Sequence, residues 1–532
     1  MSRSNIVLKR RTFFFALVAS ALLTIFYILN TSTTSVHVHK VHKHDFNSDK
    51  LSGKVVEKSK FAVETSDDGK SIEIAKLDDE RPQTIKERPS VQDSPAEKEM
   101  NDKKTTEEAV KSSLEKDSYH PGPIVEDGLD IDFQDDAQLF NGPEIMVSSE
   151  ETDWKRLGEK LRVFKKLHEL KYNNKSLSSE QSSLYEKAEK YLFSWIKPSF
   201  SSTIEMRNSF SGNGIVICMG NGQFKMALAT LKMIRNVHFS NLPIEVFYMG
   251  DHDLSAENRK VLESLNDVTT RDIKTIFDDS QLKLGGWAIK TFAILASSFQ
   301  NAMLIDADVV FLQSPDVLFA SRIFGKYGSL FFHDRSLYSH GEPTKKWFKD
   351  LFPYQSGYSK TLRVFQDKTA HEQESGVVLI NKKMNIPALL ASCTLNVGDI
   401  RDRTYKFVFG DKETFWVGFE TVKSTYRFNG YYPGTIGVSK KSEGGYEICA
   451  RQLLHVDEHQ VPTWINGGIQ ESKYDHSTPI VKMETYVVEP GTWTLKANNM
   501  ACLVTENAFT LPDIYSDITA ESGKILLETL AN

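Results

Sequence analysis

NAMLIDADVVFLQSPDVLF, residues 301–319, carries a short apolar run at 302–305 that breaks at Asp306-Ala307-Asp308 and resumes as Val309-Val310-Phe311. A run this short, rich in branched and aromatic side chains, predicts a strand buried on both faces. In a twisted, mainly parallel sheet the ligand crevice opens at the carboxyl ends of the strands, where both acids fall. Residues two apart on a strand share a face, so the spacing predicts two carboxylates pointing the same way. Hard oxygen ligands so placed suit Mg²⁺ or Mn²⁺ holding a diphosphate. An Asp-x-Asp triplet also occurs as a plain turn or helix cap.

The flanks separate these readings. Upstream, GGWAIKTFAILASSF (285–299) starts on two glycines and continues as a mostly apolar helix. Downstream, Ser314-Pro315-Asp316 reads as a turn or helix start. Further back, residues 215–219 predict a buried strand, followed by Gly220-Asn221-Gly222 and the helical FKMALATLKMIR. Strand, glycine turn and helix make the first nucleotide-contacting unit of an α/β fold, with Gly220 at the donor. The triplet itself is neither a Rossmann nor a P-loop signature. LPIEVFYMGDHD (242–253) reads as a second strand ending in Gly and Asp. Strands alternating with helices predict an α/β domain whose mostly parallel sheet is flanked by helices.

The rest of the 532-residue chain is uneven. A net charge of −6 gives no basis for nucleic-acid binding. Residues 12–29 are an uncharged apolar run, preceded by Arg3, Lys9, Arg10 and Arg11. Its length matches a bilayer-spanning helix, and it lacks a small-residue cleavage site, so an uncleaved type II signal anchor is expected. Residues 1–11 then form a cytosolic tail, and everything after the anchor is lumenal. Residues 30–150 are polar and charged with few aromatics, which predicts a disordered stem. Its His37, His39, His42 and His44 read as a solvated face. Residues 151–205 predict a helical lead-in, with Leu157, Leu161, Phe164 and Leu167 at helical spacing and a second helix stopped by Pro198. Asn174-Lys175-Ser176 is a glycosylation sequon. The catalytic domain is expected at 206–532. Four cysteines, Cys218, Cys393, Cys449 and Cys502, permit up to two disulfides in three pairings. Cys218, inside an apolar strand, also reads as a buried thiol.

Anchor, stem, α/β core and D-x-D after a buried strand together resemble a Golgi glycosyltransferase of the GT-A type. GWAIKTFAILASSFQNAMLIDADVVFLQSPDVLF, LFFHDR, QESGVVLINK and GDKETFWVGF narrow the resemblance to the fungal α-mannosyltransferases of the Mnn1 family. LFFHDR favours the α-1,3 branch over the α-1,2 (Mnn2-like) branch. The resemblance, over residues 212–459, implies a GDP-mannose donor, Mn²⁺, retention of configuration, and mannose-ending N- or O-linked glycans as acceptors.

Within that expectation Asp308 coordinates the metal directly, and Asp306 binds it through water or holds the ribose. His455 is a third ligand as the resemblance implies, or a hydrogen-bonded core histidine. Trp287 and Lys290 open the helix before the D-x-D strand and are expected at the donor. Asp334, in His333-Asp334-Arg335, either holds sugar hydroxyls or pairs with Arg335. A retaining transfer calls for a carboxylate on the far face of the donor sugar or an acceptor attacking from the leaving-group side. Asp411, Glu413 and Glu374 are the candidates, and each also reads as a capping or solvated acid. Two rivals remain at this stage. One is a haloacid-dehalogenase-type phosphatase, whose G-D-x-x-x-D would need an acid where Phe415 stands. The other is a catalytically silent glycan-binding scaffold.

Overall fold

The computed structural model describes residues 137–141, 153–173, 177–335, 338, 341–472, 477–489, 493–496 and 499–531. The expected anchor at 12–29, the histidines at 37–44 and the Asn174 sequon lie outside the described residues. Among the described residues no helix is long and apolar enough to cross a membrane.

Six strands build the central sheet: β1 (Ser211–Cys218), β2 (Ile244–Tyr248), β3 (Val268–Asp272), β4 (Phe299–Ile305), β6 (Ser329–His333) and β7 (Gln373–Asn381). Their order is β3-β2-β1-β4-β7-β6. The first four run parallel, and β7 lies antiparallel to both β4 and β6, so five strands share one direction. This agrees with the α/β expectation.

β4 shows why the sheet is apolar throughout. Ala302 and Leu304 face one hydrophobic cluster, together with Val216, Val378 and Ile380. Met303 and Ile305 face the other, with Ile215, Ile217, Val377 and Leu379. Alternate residues in the middle of these strands thus bury on opposite faces, and the buried polar side chains of β6 and β7 fall at the strand ends, among them His333, Gln373 and Glu374. The first cluster also takes in the helices Trp154–Tyr172 and Ser179–Phe193. The lead-in therefore shares the core of the catalytic region.

The stem expectation needs one correction. Residues 137–141 include a helical turn; Phe140 is buried, with its ring 5.7 Å from that of Tyr191. The Leu139-Phe140 pair supplies apolar area that its polar surroundings in sequence conceal.

After β4 the chain turns and enters a second sheet through β5 (Val310–Phe311). There β5 pairs with the strand Pro462–Asn466, which pairs in turn with the strand Leu453–Val456. Further strands include Gly445–Cys449 and Asn499–Thr505, which Cys449–Cys502 joins; Cys218 and Cys393 are free thiols.

Candidate active site

Strand direction gathers the site. β1, β2, β3, β4 and β6 end on one rim, and the reversed strand β7 begins there, because Ile305 pairs with Val377. Asp306 donates its N–H to the carbonyl of Gly376 at 2.8 Å, which fixes the D-x-D against the start of β7. The triplet is a turn rather than the end of a strand, with the Val309 N–H returning to the Asp306 carbonyl at 3.2 Å. The strand argument for a shared face therefore does not apply, since the chain is leaving one sheet for the next. The Asp308 carbonyl accepts from Gly468 N–H at 2.8 Å, and its side chain is buried.

Two lysines organise the acids. Lys290 Nζ lies 2.6 Å from Asp306 Oδ1 and 3.8 Å from Asp411 Oδ2. Burial alone would lower its pKa, but Asp306, Asp411 and Glu374 raise it, so it stays charged. The Asp306 carboxyl is pushed up to about 6, first by burial and then by Asp308 and Asp411, with Lys290 opposing. Lys412 Nζ bridges Asp334 at 2.9 Å and Glu374 at 3.2 Å. Glu374 Oε1 also accepts from Asn466 Nδ2 at 2.8 Å and from Gly376 N–H at 2.9 Å. Asp411 Oδ2 is buried and accepts no hydrogen bond.

The other expected residues divide. Glu413 lies in the core, holding the Gln373 amide at 3.1 Å and the Trp416 indole. It cannot reach a substrate, because it turns inward where the helix Thr414–Thr421 begins. His455 stacks on Trp464 with centroids 3.9 Å apart, and burial lowers its pKa well below the usual value, leaving it neutral. Its charged neighbours are Asp334, Lys412 and Arg335. Among the described residues the ligand atoms of Asp306, Asp308 and His455 do not gather as a three-member set. His455 is packed as a core histidine, but its buried Nε2 has no hydrogen-bond partner, so it is not the hydrogen-bonded core histidine of the alternative reading.

Asp334 makes a 2.9 Å ion pair with Lys412 and also acts on the Arg335 guanidinium, which donates to the Gly434 carbonyl at 3.3 Å. His333 is held between the rings of Phe428 and Tyr432, at 4.4 and 3.9 Å. Gly220 spends its N–H on Gln223 Oε1, and a Cβ there would come within 2.3 Å of Asp253 Oδ1. Its glycine is thus explained by packing of the turn after β1. Trp287 is half exposed at the rim.

Sequence reading missed Lys412, Glu372 and Asn466. Lys412 stood inside a quoted motif, but its partners lie 38 and 78 residues away. A lysine alternating with acids in a short loop was the available signal. The phosphatase alternative loses its last acid to Phe415, which is fully buried.

These features fit a divalent cation held in part by a ligand. Asp306 and Asp411 lie about Lys290, Asp308 acts on the Asp306 carboxyl, and the buried Asp411 Oδ2 accepts no hydrogen bond, although among the described residues no three ligand atoms of this rim converge on one point. Hard ions of this class take one or two protein carboxylates and complete their shell with phosphate oxygens and water.

Residues 212–457 match the family model described as "Mannosyltransferase putative". The chain is also similar to fungal α-1,3-mannosyltransferases. Alpha-1,3-mannosyltransferase MNN1 of Saccharomyces cerevisiae is 25% identical over 348 residues, covering 54% of this chain and 45% of that protein. Alpha-1,3-mannosyltransferase MNT3 of the same yeast is 27% identical over 306 residues, covering 50% and 48%. The chain thus spans less than half the length of these relatives. Core-mannan synthase A of Aspergillus fumigatus, solved in a Mn/GDP form, aligns at 12% identity over 42% of this chain and 72% of its own, with a TM-score of 0.27. So slight a likeness says nothing about this chain's chemistry.

Proposed function

We propose that the chain is a GT-A-type mannosyltransferase, transferring mannose from GDP-mannose with retention to form terminal α-1,3-mannose on N- or O-linked glycans. One observation carries this reading: the D-x-D of a mannosyltransferase-family segment sits on a shared sheet rim with Lys290, Asp411 and Glu374. The names of the relatives support the α-1,3 linkage. The apolar run at 12–29 and the basic residues before it support a single-pass type II Golgi anchor with a lumenal catalytic domain.

Asp308 and Asp306 would hold Mn²⁺. When bound, that ion supplies positive charge to a departing diphosphate. Lys290 sets a buried positive charge beside Asp306 and Asp411, a fixed charge already in place as the leaving group departs. Asp411 Oδ2, unclaimed by any donor, is the oxygen available to the far face of the donor sugar. Glu374, already held by Lys412, Asn466 and the Gly376 amide, positions the loop instead.

The test is to incubate the full-length protein with a panel of sugar nucleotides, Mn²⁺ and manno-oligosaccharides, then determine the product linkage. The expected result is transfer from GDP-mannose alone, giving α-1,3-mannose. Transfer from another donor, or phosphate release without any sugar nucleotide, overturns it.

A further inference from the structure

A chain of rings leaves the site at Asp411. Trp287 and Phe409 are 51% and 56% exposed, with centroids 5.5 Å apart. Phe409 then meets His371 at 5.9 Å, and His371 meets Tyr338, itself 47% exposed, at 5.7 Å. Exposure alone means little, since Phe239 is 76% exposed. What distinguishes this row is contiguity, position and the backbone built to hold it.

Gly410, between Phe409 and Asp411, sits at φ +63°, and a Cβ there would lie 2.6 Å from Trp287 Cε3. A glycine is therefore required twice over, for its left-handed backbone and for the close seat of the indole. His371 is fixed from the other side, its carbonyl accepting from Thr369 Oγ1 at 2.9 Å and its N–H donating to the same oxygen at 3.2 Å. A wet aromatic surface held this firmly calls for a ligand.

We infer that Trp287, Phe409 and His371 form an acceptor platform that holds mannosyl units of the glycan beyond the one that reacts. A pyranose presents an apolar C–H face and a hydroxyl edge, which suits the half-exposed rings of Trp287 and Phe409. The row is one ring wide, as suits a linear saccharide rather than a protein surface. Its anchored side chains carry no fixed charge for a diphosphate, so the donor belongs with Asp306, Lys290 and Asp411. The inference rests on the mannosyltransferase reading and adds the part of the acceptor that is recognised.

The test compares methyl α-mannoside with α-mannotriose as acceptors for full-length wild type, Phe409→Ala and Phe409→Trp. Wild type should show a lower KM for mannotriose. Phe409→Ala should raise the mannotriose KM about tenfold, a single lost stacking contact. Its methyl mannoside KM, kcat and donor KM should stay as in wild type, and Phe409→Trp should restore the mannotriose value. No gain in wild type from the longer acceptor, an unchanged mannotriose KM in Phe409→Ala, or a shift in donor KM overturns the platform. If wild type transfers to neither acceptor, the mannosyltransferase reading itself fails.

Discussion

Glu413 and Asp411 stand two residues apart and face opposite fates. Asp411 reaches the rim and Lys290, whereas Glu413 points into the core, where burial pushes its carboxyl up to about 8. Glu372 and Asp334 add to that rise, and the bonds from Trp416 and Gln373 oppose it. A folded form that holds its proton more tightly than the unfolded chain loses stability as pH rises from the ordinary value near 4.5 to about 8. Above that window the loss is complete. Glu413→Gln, which stays neutral, should flatten the fall of Tm between about pH 5 and pH 8; equal slopes in both proteins would contradict the assignment. Sequence could not separate the two acids, because their surroundings come from β7 and from the loop before it. It could not pair Lys412 with Asp334 and Glu374 for the same reason. Asp306 and Asp308 were legible because an apolar strand ends on them.

At the scale of elements, the helices Lys382–Thr394 and Thr414–Thr421 touch through glycine. A Cβ on Gly418 would lie 2.2 Å from Ser392 Oγ and 2.6 Å from the Ser392 backbone nitrogen. Alanine gains about 1 kcal/mol of helix propensity, but overpacking against backbone costs roughly 1–3 kcal/mol. Gly418→Ala should therefore cost up to about 2 kcal/mol of stability, read as a lower denaturant midpoint. It should also lower activity, since this helix begins just after Asp411-Lys412. Gly222→Ala, with open space around it, should change stability by no more than about 0.5 kcal/mol. An unchanged Gly418→Ala would mean that the helices can separate freely. The alternation of strands and helices was readable from periodicity. The reversal of β7 was not, because an apolar strand reads alike in both directions, and that reversal is what brings Glu374 to the rim.

Across the whole molecule, the sheet acts as a collector. Five strands end on one rim and the sixth starts there, so residues from 290 to 412 meet around Asp306. Lead-in helices and a buried Phe140 stiffen one face of the sheet, a role that sequence suggested for the helices and hid for the phenylalanine. We propose that this rim binds a cation and a sugar diphosphate through Asp308. The most direct measurement is mannose transfer from GDP-mannose by full-length wild type and Asp308→Ala, with and without excess chelator, beside their thermal unfolding curves. The expected result is at least a hundredfold loss in the variant and in chelator, with Tm nearly unchanged and activity restored to wild type by Mn²⁺. Full transfer by Asp308→Ala, or by wild type in chelator, would contradict it.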